Sequence, residues 1–174
     1  MNKQTFILTV FFALGALIVF GVSAVIRAAA SSLPAPVQSV MTPYIQIHDA
    51  LAKDSLDGVS AAATDLAKAT QSDKLFPGEL AQEAQALAQA KDLAAARTVF
   101  KPLSETLIKA LNDNNIKSDP YVEAYCPMEQ AHWLQTGKTV SNPFGASMAH
   151  CGSLVGSKPS TAATSCPMSG GCCN

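Results

Sequence analysis

The chain has 174 residues, of which 48% are hydrophobic and 6% aromatic, and its 12 basic and 13 acidic residues give a formal net charge of −1 at pH 7. This length predicts one domain with accessory segments, and an alanine-rich chain with few aromatic residues favours closely packed helices over a β-sandwich. Because no cluster of lysine or arginine residues stands out, we expect no binding to nucleic acid.

The N-terminal segment, residues 1–30, predicts a membrane anchor or a secretory signal peptide. An apolar run without charged residues extends from Phe6 to Ile26, and about 20 apolar residues cross the hydrocarbon core of a membrane. This length favours a retained transmembrane helix, whereas the small residues from Ala28 to Ser32 are typical of a signal cleavage site. In both interpretations the rest of the chain is exported across the membrane.

Residues 37–117 predict a helical bundle. Apolar residues recur there at three- and four-residue steps, and this period indicates amphipathic helices at about residues 37–51, 59–69, 79–89 and 93–111. Asp92 is the expected N-cap of the fourth helix. His48 lies beside the apolar stripe of the first helix, and we interpret it as a packing residue. Short loops between the helices predict an antiparallel up-and-down arrangement.

The helical period ends at Ser118, and we expect residues 118–154 to form a small irregular module that packs on the bundle through Trp133. Residues 121–125 alternate as a strand does, and Asn142-Pro143-Phe144-Gly145 has the composition of a turn. The predicted fold class is therefore all-α: a bundle of about four helices, an irregular module and an N-terminal helix. Residues 155–174 predict a disordered tail.

Sulfur-containing side chains are concentrated in the module and in the tail. All five cysteines lie in the last third of the chain, and the tripeptide Cys-Pro-Met occurs twice. Thiolates and thioethers are soft ligands that suit Cu(I) or Ag(I) far better than Mg²⁺ or Ca²⁺. The candidate metal ligands in the module are Cys126, Met128, Met148, His150 and Cys151. The candidates in the tail are Cys166, Met168, Cys172 and Cys173.

A disulfide between Cys126 and Cys151 is the alternative use of these cysteines. Exported proteins retain disulfides, and closing a loop of about 25 residues contributes roughly 3–4 kcal/mol in the loop-entropy model. The methionines of the module would then fill gaps in the core. The tail has its own alternatives, which are a vicinal disulfide or an intermolecular crosslink. Five cysteines cannot all pair within one chain.

We do not expect an enzyme. The sequence contains no Ser-His-Asp arrangement, no paired catalytic carboxylates, no phosphate loop and no dinucleotide fingerprint.

An ordered series of short motifs runs through residues 40–152. In chain order it consists of Tyr44, Asp49-Ala50-Leu51, Arg97-x-x-Phe100-x-x-Leu103-Ser104, Tyr121 to Met128, Trp133-Leu134, Asn142-Pro143-Phe144-Gly145 and Met148-x-x-Cys151-Gly152. This series resembles an export-side domain of unknown function, which occurs as a stand-alone exported protein and is also appended to periplasmic adaptor subunits of copper/silver (CusB-like) cation efflux systems. Phe144 stands where that family more often has tyrosine, and the cysteine-rich tail lies outside the resemblance.

The resemblance implies a periplasmic domain that takes part in heavy-metal handling. We therefore expect a Cu(I)- or Ag(I)-binding protein that sequesters the metal or passes it to an efflux or metal-trafficking partner. It is expected at the periplasmic side of the inner membrane, anchored by its N-terminal helix, or soluble in the periplasm after signal cleavage. The alternative function is a disulfide-stapled structural or interaction domain without metal.

Overall fold

The computed structural model describes residues 33–156 of the chain. The predicted N-terminal membrane or signal helix and the cysteine-rich end of the tail lie outside this range. Within residues 33–156, none of the helices combines the length and the apolar composition needed to cross a membrane.

Four helices follow one another in the first two thirds of the described chain. They are α1 (Ala35–Leu51), α2 (Val59–Gln71), α3 (Gly78–Ala88) and α4 (Leu93–Asp113). The predicted N-cap is present, because the Asp92 carboxylate accepts a hydrogen bond of 2.8 Å from the backbone N–H of Ala95. Helices that are consecutive in the chain pack against each other, and the predicted apolar stripes are buried in their common core.

The rest of the described chain contains a β-sheet, so the predicted all-α class is wrong. Three antiparallel strands form a small sheet in the order β2-β1-β3, with β1 at Val122–Cys126, β2 at Ala131–Gln135 and β3 at Ser153–Leu154. A four-residue turn joins β1 to β2, and Gln130 closes it with a positive φ of 48°. A short 3₁₀ helix, Ala146–Met148, lies between β2 and β3.

A row of four buried aromatic rings joins the helices to the sheet. The rings of Tyr44 in α1 and Phe100 in α4 are stacked at 5.3 Å, and Phe144 lies 6.3 Å from Phe100. Trp133 of β2 meets Phe144 edge-on at 6.0 Å. Such contacts add to the hydrophobic burial of each ring. They hold β2 and the loop around Phe144 against the helical bundle.

Candidate metal centre

The structure brings Cys126 and Cys151 together, and we call them the sulfur pair. Their Sγ atoms are 3.1 Å apart. This distance is longer than the roughly 2.05 Å of a disulfide bond, so the two side chains are thiols in this structure. Cys126 is fully buried in the core, whereas Cys151 is half-buried. Cys151 is therefore the sulfur that an incoming ion or reagent reaches first.

Pairing of the strands places the two cysteines side by side. Cys126 is the last residue of β1, and Cys151 lies two residues before β3 on the antiparallel neighbour of β1. Between Cys151 and β3 is Gly152, whose φ is +127°. A Cβ at this position would lie 2.7 Å from the carbonyl oxygen of Tyr125 and 3.2 Å from Trp133 Cη2. Only glycine allows the chain to approach β1 this closely.

The predicted turn at residues 142–145 determines where Cys151 lies. Asn142 is buried, and its side-chain Nδ2 donates a hydrogen bond of 2.9 Å to the carbonyl of Cys151. Its Oδ1 accepts from the backbone N–H of Phe144 at 2.8 Å, and its own N–H donates to the carbonyl of Ala149 at 3.0 Å. The side chain of Asn142 thus forms hydrogen bonds with both ends of the segment 144–151, as asparagine side chains do with the backbone of tight turns.

The thioethers and the imidazole of the module have different surroundings. Met148 is half-buried and packs against the core, and its carbonyl accepts a hydrogen bond of 2.7 Å from the N–H of Cys151. Met128 lies in the turn after β1 and is 56% exposed. His150 is exposed, with its Nδ1 3.4 Å from the carbonyl of Val140. Met148 is therefore joined to Cys151 through the backbone, whereas Met128 and His150 have exposed side chains.

The tail candidates, Cys166, Met168, Cys172 and Cys173, lie outside the described residues. Over residues 33–156, no group of three or more histidine, cysteine, aspartate or glutamate side chains is arranged to hold a metal ion. The chemistry of the sulfur pair fits a soft monovalent ion, which needs few ligands and no carboxylates.

The 3.1 Å separation of the two Sγ atoms is longer than a disulfide bond and shorter than the separation of two sulfurs that share a metal ion. With metal–sulfur bonds of about 2.3 Å, the length found for zinc thiolates, two sulfurs at 120° or more around one ion lie at least about 4 Å apart. Metal binding therefore requires the sulfurs to separate by about 1 Å, and a disulfide requires them to approach by a similar amount. The half-buried Cys151 is the side chain that has room to move.

Two residues of the helical bundle contact the segment before Cys151, and the sequence did not identify either as part of the site. His48 in α1 is 1% exposed, and its Nε2 is 2.9 Å from the carbonyl oxygen of Ser141. Arg97 in α4 donates from Nε to the carbonyl of Pro143 at 2.9 Å. These partners are 93 and 46 residues apart in the chain. No local pattern predicts pairs so distant, although Arg97 belongs to one of the motifs named above.

One family model matches part of the chain. Residues 40–119 match the family model described as "Protein of unknown function (DUF3347)". The match covers most of α1, all of α2 to α4 and the loop that follows. The sulfur pair lies beyond the matched residues. Neither the curated proteins nor the solved structures contain a match to this chain.

Proposed function

We propose that this protein binds Cu(I) or Ag(I) through Cys126 and Cys151, with Met148 as a third ligand. The observation that carries the proposal is the 3.1 Å approach of a buried and a half-buried thiol. The same short segment that ends in Cys151 also contains a thioether. Two thiolates and a thioether form a ligand set that selects Cu(I) over harder divalent ions.

The unequal burial of the two thiols suggests an order of binding. Metal ligation requires thiolates, so each bound ion displaces protons and the affinity falls as the pH falls. Cys151 would accept the ion first, since it is accessible, and Cys126 would then close the site from within the core. Release to another protein would follow the reverse order, with the acceptor's ligand replacing Cys151.

Within this proposal the protein is exported and acts at the periplasmic side of the inner membrane. It would sequester the metal or pass it to an efflux or metal-trafficking partner, as the resemblance to domains of CusB-like adaptors suggests. The tail cysteines would then serve as an additional capture arm.

A disulfide-stapled interaction domain is the second candidate, and the same distance supports it. Oxidation of the sulfur pair needs an approach of only about 1 Å from the observed separation. Counting thiols on protein folded under exporting conditions separates the two candidates. The metal proposal expects two reactive thiols in the module that Cu(I) protects, and the disulfide proposal expects both to be blocked until a reductant is added.

The direct test is an anaerobic Cu(I) titration of a chain whose three tail cysteines are replaced by serine (C166S/C172S/C173S). We expect one tightly bound Cu(I), which is lost in the further variant C126S/C151S. Two variants of similar side-chain volume provide the matched comparison: M148L should weaken binding by at least about tenfold, and M128L should leave it unchanged because Met128 is 56% exposed. Tight binding that survives the loss of both module cysteines would contradict the proposal.

A further inference from the structure

Two side chains of the helical bundle hold the loop that carries Cys151, which we call the 141–151 loop. The contacts of His48 and Arg97 reach the carbonyls of Ser141 and Pro143. These two carbonyls flank Asn142, whose side-chain amide donates to the carbonyl of Cys151. The position of the outer sulfur therefore depends on contacts made by α1 and α4.

His48 has hydrogen-bond acceptors on both sides of its ring. Nε2 lies 2.9 Å from the Ser141 carbonyl, and Nδ1 lies 2.9 Å from Oδ1 of Asp49. A neutral imidazole has one N–H and can donate to only one of them, whereas an imidazolium donates to both. The ring is 1% exposed, so water does not replace a missing partner. Only a doubly protonated ring donates to both acceptors in this geometry.

The carboxylate of Asp49 is suited to accept a hydrogen bond from Nδ1 of His48. The hydrogen bond from His48 lowers the pKa of Asp49 below its usual value, so Asp49 acts as an ionised acceptor and not as a proton donor to the ring. If the ring loses one proton, the remaining one is held on Nδ1, because a hydrogen bond to a charged acceptor is stronger than one to a carbonyl. The contact to Ser141 is then the one that is lost.

We propose that His48 is a proton-dependent positioning residue for Cys151. As an imidazolium it fixes Ser141 and keeps the 141–151 loop closed over the sulfur pair. When the pH rises and the ring becomes neutral, its Nε2 lone pair faces the Ser141 carbonyl, and the loop is released at this point.

The other charged groups around the 141–151 loop do not provide a proton-dependent contact with it. Arg97 stays charged at every accessible pH, so it keeps its contact with Pro143. Its ion pair with Asp54 and its hydrogen bond to the Leu51 carbonyl fix it to the bundle. The charge of Lys53 acts on Asp49 and also lowers the pKa of that carboxyl. His150 is exposed, and its Nδ1 lies 3.4 Å from the carbonyl of Val140.

Release of the loop would favour metal binding, a consequence that rests on the function proposed above. The sulfur pair must open by about 1 Å to hold an ion, and a neutral His48 makes this movement easier. Deprotonation of the thiols favours metal at high pH as well. Uptake at higher pH and release at lower pH would therefore be steeper than thiol ionisation alone produces.

The first part of the test uses the metal-free full chain. Nitrogen NMR of the His48 ring should show both nitrogens protonated while the loop is closed. Hydrogen exchange of the Asn142, Phe144 and Cys151 amides, corrected for the intrinsic pH dependence, should lose about tenfold in protection as the ring becomes neutral.

Three variants make this result specific. H48Q retains a donor toward Ser141 that does not titrate, so the protection of the loop should be independent of pH. D49N removes the carboxylate that favours the imidazolium, so the release should occur at lower pH. H132Q changes a histidine of the module that contacts Glu123, and it should behave as wild type. A singly protonated ring in the closed state, or the same pH profile in wild type and H48Q, would overturn the proposal.

The second part measures Cu(I) affinity against pH in the tail-cysteine variant described above. The slope should be steeper with His48 than with H48Q, and equal slopes would contradict the coupling to metal. If no copper binds at all, the proposed function fails, while ring protonation and hydrogen exchange still decide the role of His48.

Discussion

Gly152 is the residue at which the chain leading to β3 comes closest to β1. In G152A the new methyl group would meet the Tyr125 carbonyl at 2.7 Å, and φ would remain at +127°, a value that alanine rarely adopts. We expect the free energy of unfolding to fall by about 2–5 kcal/mol, the sum of backbone strain and overpacking. Cys151 should also move away from Cys126 and react faster with thiol reagents.

Gly137 provides the matched control for this prediction. Its φ is +80°, but a Cβ there meets nothing within 4 Å. G137A should therefore lose only the cost of the left-handed backbone, about 1–2 kcal/mol, and leave the reactivity of Cys151 unchanged. Urea unfolding and thiol labelling measure both effects. Equal losses in the two variants would mean that the close approach at Gly152 is not important.

Glu83 is a second residue whose surroundings predict a measurable effect. Its Oε1 accepts a hydrogen bond of 3.2 Å from Thr106, while its Oε2 is buried without a partner among the described residues. Burial raises the pKa of Glu83 above its ordinary value of 4.5, and the charge of Glu79 adds to this. Because the pKa is higher in the folded state, the ionisation of Glu83 destabilises the protein as the pH rises through the folded pKa.

The variant E83Q should remove this part of the pH dependence. Relative to wild type, its free energy of unfolding should increase between pH 4 and pH 7, since the buried carboxylate is no longer charged. Chemical unfolding at several pH values measures the difference. D65N, which changes a carboxylate that is 69% exposed, should show no such trend. A parallel pH profile for E83Q and wild type would contradict the prediction.

At the scale of secondary-structure elements, Tyr44 connects two helices and the sheet. Its Oη accepts a hydrogen bond of 3.0 Å from the N–H of Leu134 in β2 and lies 2.8 Å from Oγ of Ser104 in α4. Burial raises the pKa of Tyr44, so the hydroxyl keeps its proton. Y44F would leave the Leu134 N–H and the Ser104 hydroxyl buried without this partner.

We expect Y44F to lower the free energy of unfolding by about 1–3 kcal/mol, the cost of buried polar groups that lose a hydrogen bond. The half-exposed Tyr125 provides the control, since Y125F keeps the ring contact with His132 and should change stability by less than about 0.5 kcal/mol. If both variants lose the same amount, the Tyr44 hydroxyl does not join the elements as described.

The helices were predictable from the sequence, whereas only β1 of the sheet was indicated, by the alternation of residues 121–125. Each helix has a long apolar stripe with a period that one segment reveals by itself. In β2, by contrast, four of five residues are buried, including the polar Gln135, so no alternation marks the strand. The strand β3 has only two residues. Its pairing with β1 follows a turn that is held by the hydrogen bond from Asn142 to the carbonyl of Cys151.

The sulfur site was predictable only in part, for a related reason. Spacing and the turn at residues 142–145 indicated that Cys126 and Cys151 approach each other. Met128 and His150, which the sequence also offered as ligands, have exposed side chains in the structure, and sequence proximity does not reveal such exposure. The contacts from His48 and Arg97 arise from tertiary packing alone, and only the structure contains that information.

At the scale of the whole described chain, residues 33–156, the four helices support a small sheet that carries the sulfur pair. The aromatic row and the Tyr44 hydroxyl fix the sheet to the bundle. The contacts of His48 and Arg97 fix the loop that completes the site. Strand β1 therefore positions Cys126, and the 141–151 loop positions Cys151. This division suits the metal binding and release that we propose.

The most direct test of the central claim is X-ray absorption spectroscopy of Cu(I) bound to the chain with C166S, C172S and C173S. We predict that sulfur atoms alone ligate one copper ion, that M148L removes one of them, and that M128L and H150Q leave the spectrum unchanged. A spectrum dominated by nitrogen or oxygen ligands, or one unaffected by the loss of Cys126 and Cys151, would contradict the assignment of the sulfur pair as a metal site.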